Sequence, residues 1–194
     1  MKKILFETHH LYYLPNFIPI IDNLRSKVGY DIYASMPQYM HEKERKLFHS
    51  ACSSMKLQVI DAELEAERVE EIKSTNFDVI VVGNVGQLKK IISESTLAVM
   101  VYHGIGLKQS YYNDFDQRID IRSVESEARY NELEEQGHSN LALTGYTKLD
   151  PLFSNDDQKK NITKEKLGIN NNLPTLLYAP TFYPTSFDNL AREL

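Results

Sequence analysis

His103 follows an apolar run, Leu97 to Tyr102, and opens the segment HGIGLK with Gly104, Gly106 and Lys108. An imidazole can take or give a proton near neutral pH, because its ordinary pKa lies close by. A lysine can neutralise a phosphate as a point charge. Glycines let backbone N–H groups approach an oxyanion, since no Cβ stands in the way. Together these residues suit proton transfer beside a phosphate. Each also has a plainer role: a histidine bonded to backbone, a solvated lysine, ordinary turn glycines. Farther along, the turn GYTKLD carries Gly145, Lys148 and Asp150. Asp150 can orient His103, bond a hydroxyl, or cap the turn that follows. His9 and His10 are adjacent and so project differently; at most one can face the same site as His103. The tyrosine pair at positions 12 and 13 reads as packing. No His, Cys and Asp residues show metal-ligand spacing. Neither a GxGxxG nor a P-loop pattern is present.

The elements that must hold these residues follow from the apolar pattern. Lys3 to Thr8 reads as a first, central strand. Asn16 is a candidate cap for a helix with Pro19 in its first turn, and Phe17, Ile20, Ile21, Leu24 and Val28 form its core face. Asp31 to Met36 is a strand. Tyr39 to Met55 is a helix with Met40, Leu47, Phe48, Ala51 and Met55 on one side. Leu57 to Ile60 is a strand, and Leu64 to Ser74 a charged helix. Phe77 to Val82 is nearly continuous in apolar residues, which suits a parallel strand covered on both faces. Val85 to Ile92 is a short helix, and Leu97 to Tyr102 the fifth strand. This alternation predicts an α/β fold, a Rossmann-like parallel sheet with helices on both faces. His103 then falls at the carboxyl edge of the sheet, where ligand crevices open. Arg118 to Arg122 and Leu141 to Thr144 read as further short strands. Ser123 or Ser126 starts an acidic helix that Gly137 ends, and its run Glu125 to Glu135 reads as a solvated face.

The predicted organisation is a Rossmann-like domain over 1–153, a polar linker over 154–173, and the start of a second domain over 174–194. The linker holds a short helical signal capped by Thr163. Thr175 to Ala179 reads as a new buried strand, the first element of an incomplete nucleotide-binding domain.

Of 194 residues, 42% are hydrophobic and 25% charged, enough for a packed core and against bulk disorder. The net charge of -5 gives no general field for nucleic acid, so no nucleic-acid partner is expected. The single cysteine, Cys52, excludes a disulfide framework and reads as a buried structural thiol. The first residues carry too short an apolar run for a signal peptide, and no stretch has the length of a membrane span. A cytoplasmic location is expected, free or peripheral at the inner face of the membrane.

Three segments, VYHGIGLK, LTGYTKLDPLF and LLYAPTFYPTS, occur in an order and spacing that resemble the CDP-glycerol glycerophosphotransferase family. That family builds poly(glycerol phosphate) chains of teichoic acids. The matching residues are His103-Gly104, Leu107-Lys108, Gly145-Tyr146, Asp150 and Tyr178-Ala179-Pro180-Thr181. The resemblance is specific from about Val99 onward and topological before it. It implies the GT-B architecture, two Rossmann-like domains facing a cleft, with this chain holding the acceptor-side domain and the opening of the second. It implies His103 as catalytic base with Asp150 beside it. It also implies substrate contacts from Gly104, Gly106, Lys108, Gly145, Lys148, Pro180 and Thr181. The implied partners are a CDP-glycerol donor and a polymer or lipid-linked acceptor, with no metal and no cofactor. Two departures are visible: Phe182 is followed by Tyr183 where many members carry arginine, and the usual basic residue before the Asp is replaced by Lys148, one position off. The resemblance further implies little activity for these 194 residues alone. Two other readings remain open. One is another GT-B sugar-nucleotide transferase or epimerase; the other is a non-catalytic acceptor-binding module.

Overall fold

The segment KILFE becomes a strand because its apolar residues serve two faces at once. Ile4 and Phe6 pack with Phe17 and Ile21 on one side, while Leu5 packs with Ile72, Ile80 and Leu88 on the other. Successive side chains of a pleated strand alternate in this way. The computed structural model describes residues 1–104, 118–153, 157–170 and 172–179. The chain divides into two units, Met1–Phe153 and Ser154–Leu194.

In the first unit the strands are β1 (Lys2–Glu7), β2 (Tyr30–Ser35), β3 (Gln58–Ile60), β4 (Val79–Val82), β5 (Leu97–Val101), β6 (Ile121–Val124) and β7 (Leu141–Leu143). The helices are α1 (Leu14–Arg25), α2 (Glu42–Ser54), α3 (Glu65–Thr75), α4 (Leu88–Ile91), α5 (Glu127–Glu135) and α6 (Asp150–Phe153). The strands form one sheet in the order β3-β2-β1-β4-β5-β6-β7. Every neighbouring pair is parallel. The expected α/β Rossmann-like sheet is therefore found, and β6 and β7 extend it by two strands. The middle strand is β4 rather than β1, because two strands lie beyond β1 and three beyond β4. Helices α1 and α2 cover one face, through Phe17, Ile21, Phe48 and Cys52; α3 and α4 cover the other, through Ile72, Leu88 and Ile91. Each such fully buried side chain stabilises the fold by roughly 1.5–3 kcal/mol. Cys52 is fully buried, and burial pushes its thiol up to about 12, as suits a structural thiol.

Several local expectations shift. Helix α1 begins before Asn16, after a 310 turn over Leu11–Tyr13, with Pro15 in its first turn and Pro19 inside the helix. Asn16 is buried, with its amide directed at the carbonyls of Tyr12 and Tyr13 instead of capping. Val28 lies beyond the helix and is fully exposed, and Leu47 is exposed on the outer side of α2. Helix α2 starts at Glu42, three residues after Tyr39, where His41 Nδ1 accepts from Lys43 N. Ser126, not Ser123, caps α5; its hydroxyl accepts from Arg129 N. Glu125 is not solvated. Its side chain is buried beside Arg129, 3.5 Å away, and Arg129 lies over the Tyr102 ring.

In the second unit, residues Asp157–Lys166 form α7. Thr163 lies inside that helix rather than at its cap. Residues 174–179 form no strand, because no described strand pairs with them, and Leu176 and Leu177 are largely exposed. A strand without a ladder partner is not stable in water. Among the described residues, no helix is long and apolar enough to cross a membrane.

Candidate active site

Strands β1 and β4 are neighbours, yet the chain leaves them in opposite directions, to β2 on one side and β5 on the other. In open parallel sheets a crevice opens at the carboxyl ends beside such a switch. The residues that arrive there are Glu7 at the end of β1 and Thr8 to His10 after it, Gly83 and Asn84 after β4, and Tyr102 to Gly104 after β5. The two central strand ends bring His103 and Gly83 together: His103 Nδ1 lies 3.0 Å from Gly83 O. A carbonyl only accepts, so Nδ1 carries a proton, and in the neutral ring the lone pair then lies on Nε2. That is the tautomer a general base needs.

Two rings flank the imidazole. Tyr13 lies 4.6 Å away between centroids and Tyr12 5.3 Å away. The Tyr13 hydroxyl accepts from Asn84 Nδ2 at 2.6 Å. From the turn after β7, Tyr146 donates its hydroxyl to His103 O at 2.9 Å. The next residue, Thr147, bonds Asn16 O of α1 at 2.7 Å. The turn after β7 is thus tied both to the His-Gly segment and to the helix after β1.

The expected site residues divide as follows. His103 and Gly104 stand at the carboxyl end of β5, half-buried. Gly145 has φ +79 and nothing within 4 Å of an added Cβ, so its role in the turn is conformational. Lys148 is exposed in a 310 turn over Thr147–Leu149. Asp150 opens α6, is exposed, and makes no hydrogen bond to His103; it stands where an acid favours a helix start. Gly106, Lys108, Pro180 and Thr181 lie outside the described residues. Among the described residues, no three His, Cys, Asp or Glu side chains gather as a metal site.

A second polar cluster sits under the ends of β1 and β2. Arg68 of α3, fully buried, donates to Glu7 Oε2 at 3.0 Å, to Ser35 Oγ at 2.6 Å and to Glu65 through two bonds at 2.6 and 2.9 Å. Burial pushes the Glu7 carboxyl up, with Arg68 opposing. Glu65 is half-exposed; burial acts upward on it too, but the bonds from Arg68 and Gln38 N prevail and hold it low. The sequence carried a faint signal for this cluster. Glu7 ends an apolar strand, and Arg68 stands four residues before the buried Ile72.

His9 is buried with its Nε2 accepting from Gln87 N at 3.2 Å. Its neighbour His10 points elsewhere, stacked on Tyr12 and 3.8 Å from Glu44. Burial, then the charges of Arg68 and His10, lower His9 to about 4 from an ordinary 6.5. Its neutral form is the stable folded one. The corresponding stability is fully present above pH 6.5 and is lost as the pH falls toward 4. The shift is worth about 3 kcal/mol at 1.36 kcal/mol per unit. Urea unfolding at pH 7 and pH 4.5 should show the native chain losing about 2–3 kcal/mol more than His9→Gln. Equal losses in the two proteins would remove His9 as the cause.

The loop beneath His9 leaves no room for a side chain. Gly86 has φ +40, and an added Cβ would stand 2.5 Å from His9 Nε2 and 2.7 Å from Asn84 Oδ1. Gly29 has φ +102 with nothing within 4 Å. Gly86→Ala should therefore cost about 2–3 kcal/mol and Gly29→Ala about 1 kcal/mol, read from denaturant midpoints. Equal costs would mean that the contact with His9 is unimportant.

No protein-family model matches the sequence, and no curated protein matches it significantly. Among solved structures, the chain is similar to a UDP-GlcNAc 2-epimerase from Neisseria meningitidis bound to UDP-GlcNAc. The TM-score is 0.53 at 14% identity, over 86% of this chain and 53% of that one. A putative UDP-N-acetylglucosamine 2-epimerase from Listeria monocytogenes aligns with a TM-score of 0.48 at 11% identity, over 78% of this chain and 46% of that one. This chain thus spans about half the length of each. At these identities the likeness is one of fold.

Proposed function

We propose that this chain is the proton-transferring half of a GT-B-type enzyme acting on a nucleotide-diphosphate-activated sugar or polyol phosphate. The observation that carries the reading is His103 Nδ1 on Gly83 O, beside the switch point, which puts the lone pair of the neutral ring on Nε2. The fold likeness to a UDP-GlcNAc 2-epimerase supports a sugar nucleotide as the substrate class. In that chemistry His103 Nε2 takes the proton of the sugar carbon being inverted while the electron pair left there expels the nucleoside diphosphate from the neighbouring carbon, or it returns a proton to that carbon as the bond to the nucleoside diphosphate re-forms.

A second reading, glycerol phosphate transfer from CDP-glycerol, is favoured by one contact. Tyr146 of the Gly-Tyr motif bonds the backbone of His103 in the His-Gly motif, so two segments that resemble the glycerophosphotransferases meet. There Nε2 takes the proton of an acceptor hydroxyl as its oxygen attacks the glycerol-bearing phosphorus. The bond to CMP breaks, and CMP leaves with the electron pair.

The intact protein, purified from its own cells, separates these readings. With UDP-GlcNAc in heavy water, sugar-nucleotide chemistry yields a product inverted at carbon 2 and carrying deuterium. With CDP-glycerol and a poly(glycerol phosphate) primer, transfer releases CMP. Turnover of either supports the proposal and chooses the substrate; turnover of neither, with no binding of either nucleotide, overturns it.

A further inference from the structure

The imidazole of His103 is enclosed by a closed circuit of contacts that begins and ends at the loop after β4. Gly83 O holds Nδ1 at 3.0 Å. The Tyr13 ring lies against the imidazole at 4.6 Å with the planes 39° apart. The same ring lies on Gly83 so closely that an added Cβ there would meet its carbons at 2.8 Å. The Tyr13 hydroxyl is tied to Asn84, the residue after Gly83, at 2.6 Å. Tyr13 is 1% exposed and belongs to the core packed by Phe17 and Val101. A ring that only filled this core would need no hydroxyl reaching the loop. The bond costs little to make and fixes where the ring stands relative to Gly83.

We propose that Tyr13 is the positioning residue for His103: anchored through Asn84, its ring blocks rotation of the imidazole and keeps Nδ1–H on Gly83 O. This rests on the reading of His103 as the proton-transfer group. Imidazole rotation by half a turn would carry Nδ1 away from the carbonyl and remove the reason for the proton to stay there. The lone pair would then divide between the two nitrogens. Holding a reacting group within a fraction of an ångström matters because a misplacement of about 1 Å can cost roughly 100-fold in rate.

The test reads the ring directly, in the full 194-residue chain, by long-range nitrogen–proton NMR of the histidines. In the native chain His103 should show one dominant form, protonated on Nδ1. Tyr13→Leu removes the ring and should convert His103 to a mixture in which that form is the minor one. Asn84→Ala removes the bond from the loop to the Tyr13 hydroxyl without opening the core and should shift the mixture in the same direction by less. His49 of α2, 3.1 Å from Asp61, reports whether each variant is folded. If Tyr13→Leu does not fold, Asn84→Ala decides alone. An unchanged His103 tautomer in the folded variants overturns the positioning role. In the intact enzyme, Asn84→Ala should lower kcat roughly 10-fold with KM within about twofold of native. The tautomer readout needs no turnover, so it stands or falls separately from the proposed activity.

Discussion

On the proposed function, replacing His103 by asparagine is expected to lower kcat by roughly 10²–10⁴-fold in the intact protein, with little change in substrate binding. The asparagine amide can still donate toward Gly83 O, so the strand ends stay joined. What disappears is the basic lone pair at the position of Nε2. Because the proton moves in the transition state and not in the ground state, the loss should fall on kcat and leave KM near native. A melting temperature close to native would exclude a collapse of the site as the cause. A variant with native turnover would show that His103 serves only as the strand-end bond to Gly83 O.

Arg68→Met is expected to cost about 3–5 kcal/mol of folding stability, the largest loss of any single substitution considered. The methionine removes four hydrogen bonds and leaves the Glu7 carboxyl without its countercharge in a fully buried place. Burial already raises the Glu7 carboxyl, and without the guanidinium it must rise further. A raised carboxyl pKa in the folded state favours the protonated form. The variant should therefore lie closest to native below the ordinary carboxylate range and lose ground as the pH rises through the folded value. Urea unfolding across that range measures it. Glu7→Gln combined with Arg68→Met should recover part of the loss, because the uncompensated charge is gone. A double variant less stable than Arg68→Met would show that the charge is not the issue.

Much of this arrangement was legible in the sequence, for a physical reason. Strands such as FDVIVV and KILFE are short apolar runs bounded by glycine or polar residues. Alternation with helices leaves few sheet topologies available. The position of His103 followed from the strand before it. What the sequence did not show depends on contacts between distant segments. Tyr13 read as packing, and it does pack, but its hydroxyl reaches Asn84 across 71 positions. Arg68 looked like one more charge on a charged helix; its burial against Glu7 depends on how α3 lies over β1. Glu125 read as solvated because its neighbours are, whereas it turns inward to Arg129. The strand expected at Thr175 to Ala179 had the right residues, yet those residues pair with no strand among the described residues.

The central claim is that His103 presents a basic Nε2 to a nucleotide-diphosphate substrate at the switch between β1 and β4. Titrating the intact, labelled protein with UDP-GlcNAc and with CDP-glycerol, while following the ring nitrogens of His103 by NMR, tests it most directly. The account predicts an Nδ1–H tautomer before ligand, then a saturable shift of Nε2 with one of the two ligands and none at His49. A proton on Nε2 in the free protein, or a His103 signal indifferent to both ligands, would contradict it.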